Sequence, residues 1–379
     1  MVFLHQVRLS IITITCNICW LYNSSSLPIG TISILVIAFV LKIPRKSKSS
    51  HKSFRNRILE LDLIGTSILV PAIICLLLGF QWGGSTYAWN NSRIIGLFVG
   101  FGCLIILFIF TQLKLGDRAT LPPRILLQRT VGAASCFAFL FGVGFILLVF
   151  YLPLYFQAIK GASATKSGID ILPFLLAEVI SSAIISVMIM SVGYYIPFIL
   201  GGTVLFAVGS GLITTFEVHM PFGKRFGYQV LAGMGAAVGI QIPTLAVQTV
   251  LPLEDVHIGT SCVLFFLTLG SALSVSIGQT VFQNGFIREA HRLVPEVDPH
   301  HILSSGATLL RDLLEKLGLI DKLPLVLEAY MVGLKDAFNV TLSCACVAFL
   351  VALCLEWKSV KVEVVKKQNS VLETEGTDC

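Results

Sequence analysis

The sequence predicts an all-α fold, a polytopic membrane helix bundle, and three observations predict it. Only 13% of the 379 residues are charged while 55% are hydrophobic, and mean hydropathy is +0.86. An ordinary soluble domain carries about 25% charged residues, so lipid must be part of this chain's solvent. Apolar runs of spanning length recur along the chain, and Lys and Arg gather in the stretches between them. The net charge of +6 is thus an orientation signal, and nucleic acid is not an expected partner.

A helix crosses a bilayer with about 20 apolar residues. Nine runs of that order lie at 27–43, 63–82, 94–113, 131–156, 171–190, 196–216, 228–250, 260–284 and 337–355. The chain divides accordingly. Residues 1–26 fit the pattern poorly, since the apolar stretch Leu9 to Tyr22 is short and is interrupted by Asn17. Residues 27–113 hold three inner spans, 114–285 the next five, 286–336 a long loop, 337–355 the last span and 356–379 a tail. Within the long loop, Leu309, Leu310, Leu313, Leu314 and Leu317 recur at helical spacing opposite Arg311, Asp312, Glu315 and Lys316. This amphipathic helix either lies on the membrane surface or packs over the rim of the bundle.

Orientation follows the basic loops. Lys42 to Arg57, Lys114 to Arg129 and Lys358 to Lys367 share one side if the spans alternate, and that side is expected to be cytoplasmic. On the opposite side Trp82, Tyr87 and Trp89 suit an interfacial belt. Asn90-Asn91-Ser92 and Asn23-Ser24-Ser25 are glycosylation sequons there, so Asn90 and Asn23 are predicted acceptors.

Chemistry-bearing constellations are sparse. Most of the ten cysteines fall in apolar runs and read as free thiols; Cys16-x-x-Cys19 has no second pair beside it. His300-His301 lacks further ligands. No metal, cofactor or catalytic residue is predicted, and the chain is not expected to be an enzyme. The run from Ala232 to Gly239 has the look of a nucleotide-binding glycine loop but sits in an apolar span with no strand before it. There Gly235-x-x-x-Gly239 reads as a close helix approach.

Polar groups inside spans carry more information. Gln157, Gln241, Gln248 and Gln279 sit in or at the edges of spans, and an amide in lipid needs partners. They either line a substrate pathway or bond between helices. Glu178 is the one acid well inside a span. A central carboxylate costs about 2.5–3.5 kcal/mol on insertion scales, so it must be protonated, paired or wet. It is a candidate proton-binding group, or a neutral acid bonded to Ser181 or Ser182. Pro71, Pro153, Pro173, Pro197 and Pro243 predict interrupted helices, the device by which transporters build midplane sites.

An ordered set of stretches resembles the fungal fourteen-span drug:proton antiporters of the major facilitator superfamily. It comprises "LDLIGT" (Leu61 to Thr66), "LLLGFQWGG" (Leu76 to Gly84), "YAWNNSRIIGL" (Tyr87 to Leu97), "TLPPRILLQRTV" (Thr120 to Val131) and "YLPLYFQAIKGASATKSGI" (Tyr151 to Ile169). "GYYIPF" (Gly193 to Phe198), "GLITTF" (Gly211 to Phe216), "GIQIPTLAVQTVLPLEDVHIGTS" (Gly239 to Ser261), "GQTVFQN" (Gly278 to Asn284) and "EWKSVK" (Glu356 to Lys361) follow in order. The resemblance implies a major facilitator bundle whose nine spans here are similar to spans six to fourteen. It implies alternating access and proton-linked export of a small organic molecule, commonly a secondary metabolite, toxin or drug, with the plasma membrane as the commoner address. The counterparts of spans one to five are not found, nor are the glycine-aspartate-arginine, fourth-span arginine and glycine-proline motifs that the family ties to coupling. "LGDRAT" (Leu115 to Thr120) is only similar to the first of these. Small molecule, protons and lipid are thus the expected partners. The alternative reading is a truncated membrane protein that does not transport.

Overall fold

The computed structural model describes residues 62–361, apart from 85–86, 117–118, 296–298, 300–301, 304–309, 311–313 and 316–318. The predicted span 27–43, the 1–26 segment, Asn23, His300-His301 and most of the amphipathic stretch lie outside the described residues. All described residues fall in one unit, Leu59–Cys379.

The elements are helices throughout: α1 (Leu63–Trp82), α2 (Ser92–Leu115), the short α3 (Pro123–Leu126), α4 (Arg129–Ala158), α5 (Ala164–Asp170), α6 (Leu172–Val192), α7 (Ile196–Thr214), α8 (Phe222–Ala236), α9 (Gln241–Val250), α10 (Val256–Leu293) and α11 (Leu323–Ala352). Taking α5 with α6 and α8 with α9, eight segments of the described chain are long and apolar enough to cross a membrane. The chain is a multi-pass membrane protein.

Burial sorts the helices. The most apolar stretch of α4 is 56% buried, against 11% for α2 and for the α5–α6 segment. α4 and the α8–α9 segment, the latter 61% buried, are therefore the core of the bundle; α4 packs on both α10 and α11, while α6 packs on α8. α7 packs on α8 and α11, and α1 pairs with α2 and touches α10. Aromatic rings fill the core: Phe141 lies 5.3 Å from Phe206, and Phe282 4.9 Å from Tyr330, between ring centroids. Such pairs contribute about 0.5–1.5 kcal/mol beyond their area.

Glycines let α7, α8 and α6 approach. A Cβ on Gly235 would meet the Phe206 backbone nitrogen at 2.1 Å, and one on Gly233 the Phe174 carbonyl oxygen at 2.2 Å. The helix contact read from Gly235 is thus present, and Gly239 lies against the Phe141 ring.

The loops share two ends. At one, here the tail end, Arg124 makes a two-pronged ion pair with Asp255 (3.0 and 3.1 Å) and Arg129 Nε donates to the Cys354 carbonyl at 2.9 Å. At the far end, Tyr155 Oη donates to the Glu217 carbonyl at 2.9 Å and Lys160 Nζ to that of Val218 at 2.6 Å. Asp62 caps α1 at the tail end. It accepts from the Gly65 amide (2.6 Å), Gln112 Nε2 (2.6 Å) and both the amide and hydroxyl of Thr120 (3.1 and 2.9 Å). Burial pushes its carboxyl pKa up, but these donors together outweigh it and hold the group below its ordinary value.

Two sequence expectations are corrected. Pro71 and Pro153 lie inside unbroken helices, and Pro173 and Pro197 occupy first turns, where a missing N–H costs nothing. Among the described residues only the run expected at 228–250 is interrupted, between Ala236 and Gln241, close to Pro243. The loop expected over 286–336 is also shorter, because α10 runs on to Leu293 and α11 begins at Leu323. Arg288 and Asp336 bridge these extensions at 3.2 Å. Of the amphipathic stretch, Leu310 and Leu314 are described and buried, while Glu315 is exposed.

Candidate functional site, a cleft beside the broken span

The interruption arises from local chemistry. Pro243 stands in the first turn of α9 and has no N–H to continue the ladder back into residues 237–240. Gly239 fits beneath the Phe141 ring, where a Cβ would sit 2.0 Å from a ring carbon. Helix ends leave backbone N–H and C=O groups without intrahelical partners. A break inside a span therefore places polar backbone at membrane depth, tolerated where it faces protein or a wet cavity.

A cleft of about 470 Å³ opens beside the break. Its walls come from α6, the turn 237–240 and α9, with Leu264 of α10 and Val360 of the tail. Most of the lining is apolar, with Ser182, Ser186, Gln241, Thr244 and Gln248 as its polar side chains. Ser186 Oγ donates to Gln241 Oε1 at 3.0 Å, joining α6 to the first residue of α9. Its alternative acceptor is the Ser182 carbonyl, 2.7 Å away. Gln241 and Gln248 are both exposed, two helical turns apart on one face of α9. An apolar wall with a few convergent hydrogen-bonding groups is the usual make-up of a small-molecule site.

The four glutamines predicted to line a pathway do not converge. Gln241 and Gln248 line this cleft. Gln157 ends α4 at the far end, where its Nε2 donates to Ser167 Oγ at 2.9 Å. Gln279 is half-buried on α10 and does not line the cleft. Glu178 is half-buried on α6 and shares a stripe with Ser182 and Ser186, four and eight residues on. That separation is about 12 Å along the axis to Ser186. Ser182 donates to the Val179 carbonyl at 2.9 Å, not to Glu178. Asn90 is exposed in the turn before α2, and Asn91 caps that helix by accepting from the Arg93 amide at 3.0 Å.

Sequence reasoning missed Ser186 and Val360. "SSAIIS" carries three serines at apolar spacing, a weak sign of a polar stripe on α6. Nothing local signals Val360, which reaches the cleft from beyond the last span. A second cleft, about 500 Å³, lies at the far end between the 217–219 turn and α11. Glu217, His219, Glu328 and Lys335 stand among its apolar walls. Among the described residues no group of His, Cys, Asp and Glu is arranged to hold a metal.

These features define a polytopic α-helical membrane protein with a mostly apolar cleft, bearing a few polar side chains, at a broken span. The profile of the family described as "Fungal trichothecene efflux pump (TRI12)" matches residues 3–201, more than half of the chain, and the chain belongs to that family. The match takes in the 1–26 segment almost entirely, a stretch set apart on apolar pattern alone. Among curated relatives, "MFS-type efflux pump MFS1" of Arthroderma benhamiae is 43% identical over 340 residues, covering 89% of this chain and 62% of the relative. "Efflux pump roqT" of Penicillium rubens is 40% identical over 336 residues (89% and 61%). "Efflux pump aflT" of Aspergillus parasiticus is 37% identical over 349 residues (92% and 66%). The chain thus spans roughly three-fifths of the length of the first of these relatives.

Proposed function

We propose that the chain serves secondary active export of a small organic molecule across a fungal membrane, linked to proton entry. One observation carries this reading: the cleft at the broken span, with Gln241, Gln248 and Ser186 as hydrogen-bonding groups in an apolar wall. The names of the relatives, efflux pumps among them, support it. A site of this kind holds an amphipathic molecule by area and orients it with two amides and a few hydroxyls, so it admits many ligands. The half-helices α8 and α9 meet at residues 237–240, where a change of φ and ψ tilts α9 against α6. Rocking of the bundle about this point alternately opens the cleft to either side. Gln157 and Gln279 lie farther along the same bundle and belong to later stations of the pathway. Glu178, on the stripe that ends at Ser186, takes the coupling proton. Its carboxylate is neutralised when the surrounding helices close and is released when water returns. Tail and basic loops are cytoplasmic in this scheme, Asn90 is extracellular, and the plasma membrane is the site of action.

Export of rhodamine 6G from a drug-sensitive yeast expressing the chain tests the proposal. Faster dye loss than in vector controls, abolished by a protonophore, is the expected result. Dye loss equal to the vector control at confirmed membrane expression would sink it.

A further inference from the structure

We propose that the tail segment Glu356 to Lys361 is a strap forming one wall of the cleft, and that Val360 sets the width of its mouth. Val360 lines the cleft from a position beyond the last span, next to residues from the final two turns of α6. The strap is fastened across the turn between α6 and α7. Val360 donates its amide to the Gly193 carbonyl at 2.8 Å, and Ser359 forms an antiparallel bridge with Tyr194. Tyr195 Oη donates to the Glu356 carbonyl and Lys361 Nζ to the Ser191 carbonyl. The Trp357 and Tyr194 rings face one another at 6.2 Å.

The turn is built for this clasp. Gly193 ends α6 at φ +84°, a conformation that L side chains rarely adopt. The Lys361 stem lies over it, 3.2 Å from where a Cβ would be. Burial, and then the Glu356 carboxylate, push the Tyr195 hydroxyl up to about 12, so it remains a donor across the physiological range. The strap thus clasps α6, the helix whose inner face is the opposite wall of the cleft. It is held by main-chain bonds and a few side chains, not by a packed helix, so it opens without unfolding the bundle. A molecule passing that end of the cleft must fit beside Val360 or wait for the strap to lift.

This inference rests on the cleft being the transported molecule's site, and thiol labelling separates the two. Thr244→Cys places a thiol on the cleft wall. A sulfonated, membrane-impermeant maleimide is applied to each side of sealed vesicles holding the full chain, and labelling of residue 244 is read by peptide mass spectrometry. Releasing the strap with Gly193→Val is expected to raise the labelling rate from the tail side about tenfold, as for a local opening made permanent. Val360→Trp, which keeps the clasp and fills the mouth, is expected to lower it. Equal rates in the parent and Val360→Trp chains overturn the strap proposal even if Gly193→Val fails to fold. Rhodamine 6G export in the same vesicles decides the transport reading separately, whatever the labelling shows.

Discussion

The Ser186 hydroxyl on α6 donates to the Gln241 amide oxygen at 3.0 Å, across the point where the span holding α8 and α9 is interrupted. It links α6, one of the two least buried segments, directly to the half-helix α9. A hydrogen bond of this kind contributes about 0.5–1.5 kcal/mol net. Ser186→Ala should therefore change half-saturation for rhodamine 6G export by about two- to tenfold while leaving the amount of folded protein unaltered. Fluorescence efflux at graded dye loads measures the first, and monodisperse yield on size-exclusion chromatography the second.

Glu178 gives a pH prediction. Glu178→Gln removes the titrating group and keeps its shape and hydrogen-bonding capacity. Membrane insertion should be undiminished, since a neutral amide in a span costs less than a carboxylate at about 2.5–3.5 kcal/mol. Export by this variant should lose the dependence on external pH that the parent shows if Glu178 carries the coupling proton. A pH profile matching the parent's would remove Glu178 from the coupling path.

Asp62 makes the start of α1 acid-sensitive. Its folded-state pKa lies below the ordinary value of 3.8. The stability it contributes is therefore fully present above that value and is lost as pH falls through the folded pKa. Asp62→Asn keeps an N-cap but sets an amide against the Gln112 and Thr120 donors, so about 1–2 kcal/mol should be lost at neutral pH. The variant's melting point in detergent should also fall less steeply on acidification than the parent's.

Gly235 has no room for a side chain. Gly235→Leu must push α7 from α8, because even a Cβ would stand 2.1 Å from the Phe206 nitrogen. Overpacking of this sort costs about 1–3 kcal/mol or more, which should appear as lower monodisperse yield on size-exclusion chromatography. Gly96→Leu, at a position with open space around it, is the matched control and should behave as the parent.

Asn90 should carry a glycan. Asn90→Gln is expected to abolish a glycosidase-sensitive shift in gel mobility. Persistence of the shift would assign the glycan elsewhere.

The spans were legible because hydropathy reports membrane depth directly, as in α2 and α4. Helix ends were not, because a helix does not stop where the membrane does. α10 continues through Arg288 and Glu289 to Leu293, all compatible with a solvated helix. Pro243 did predict an interrupted span, but the exact place of the break at residues 237–240 was not legible, because Ala237, Val238, Gly239 and Ile240 read as one apolar run. Sequence could not separate Gln241 from Gln157, since core-facing and lipid-facing sides of a membrane helix are both apolar and periodicity does not assign a face. The strap was illegible because Gly193 and Val360 meet across the whole second part of the chain.

Occupancy of the cleft is the central claim, and thiol protection measures it directly. Rhodamine 6G should slow maleimide labelling of Thr244→Cys in the cleft beside Gln241, and leave Val332→Cys in the far-end cleft labelled at its usual rate. Protection at residue 332 with none at residue 244 would contradict the account.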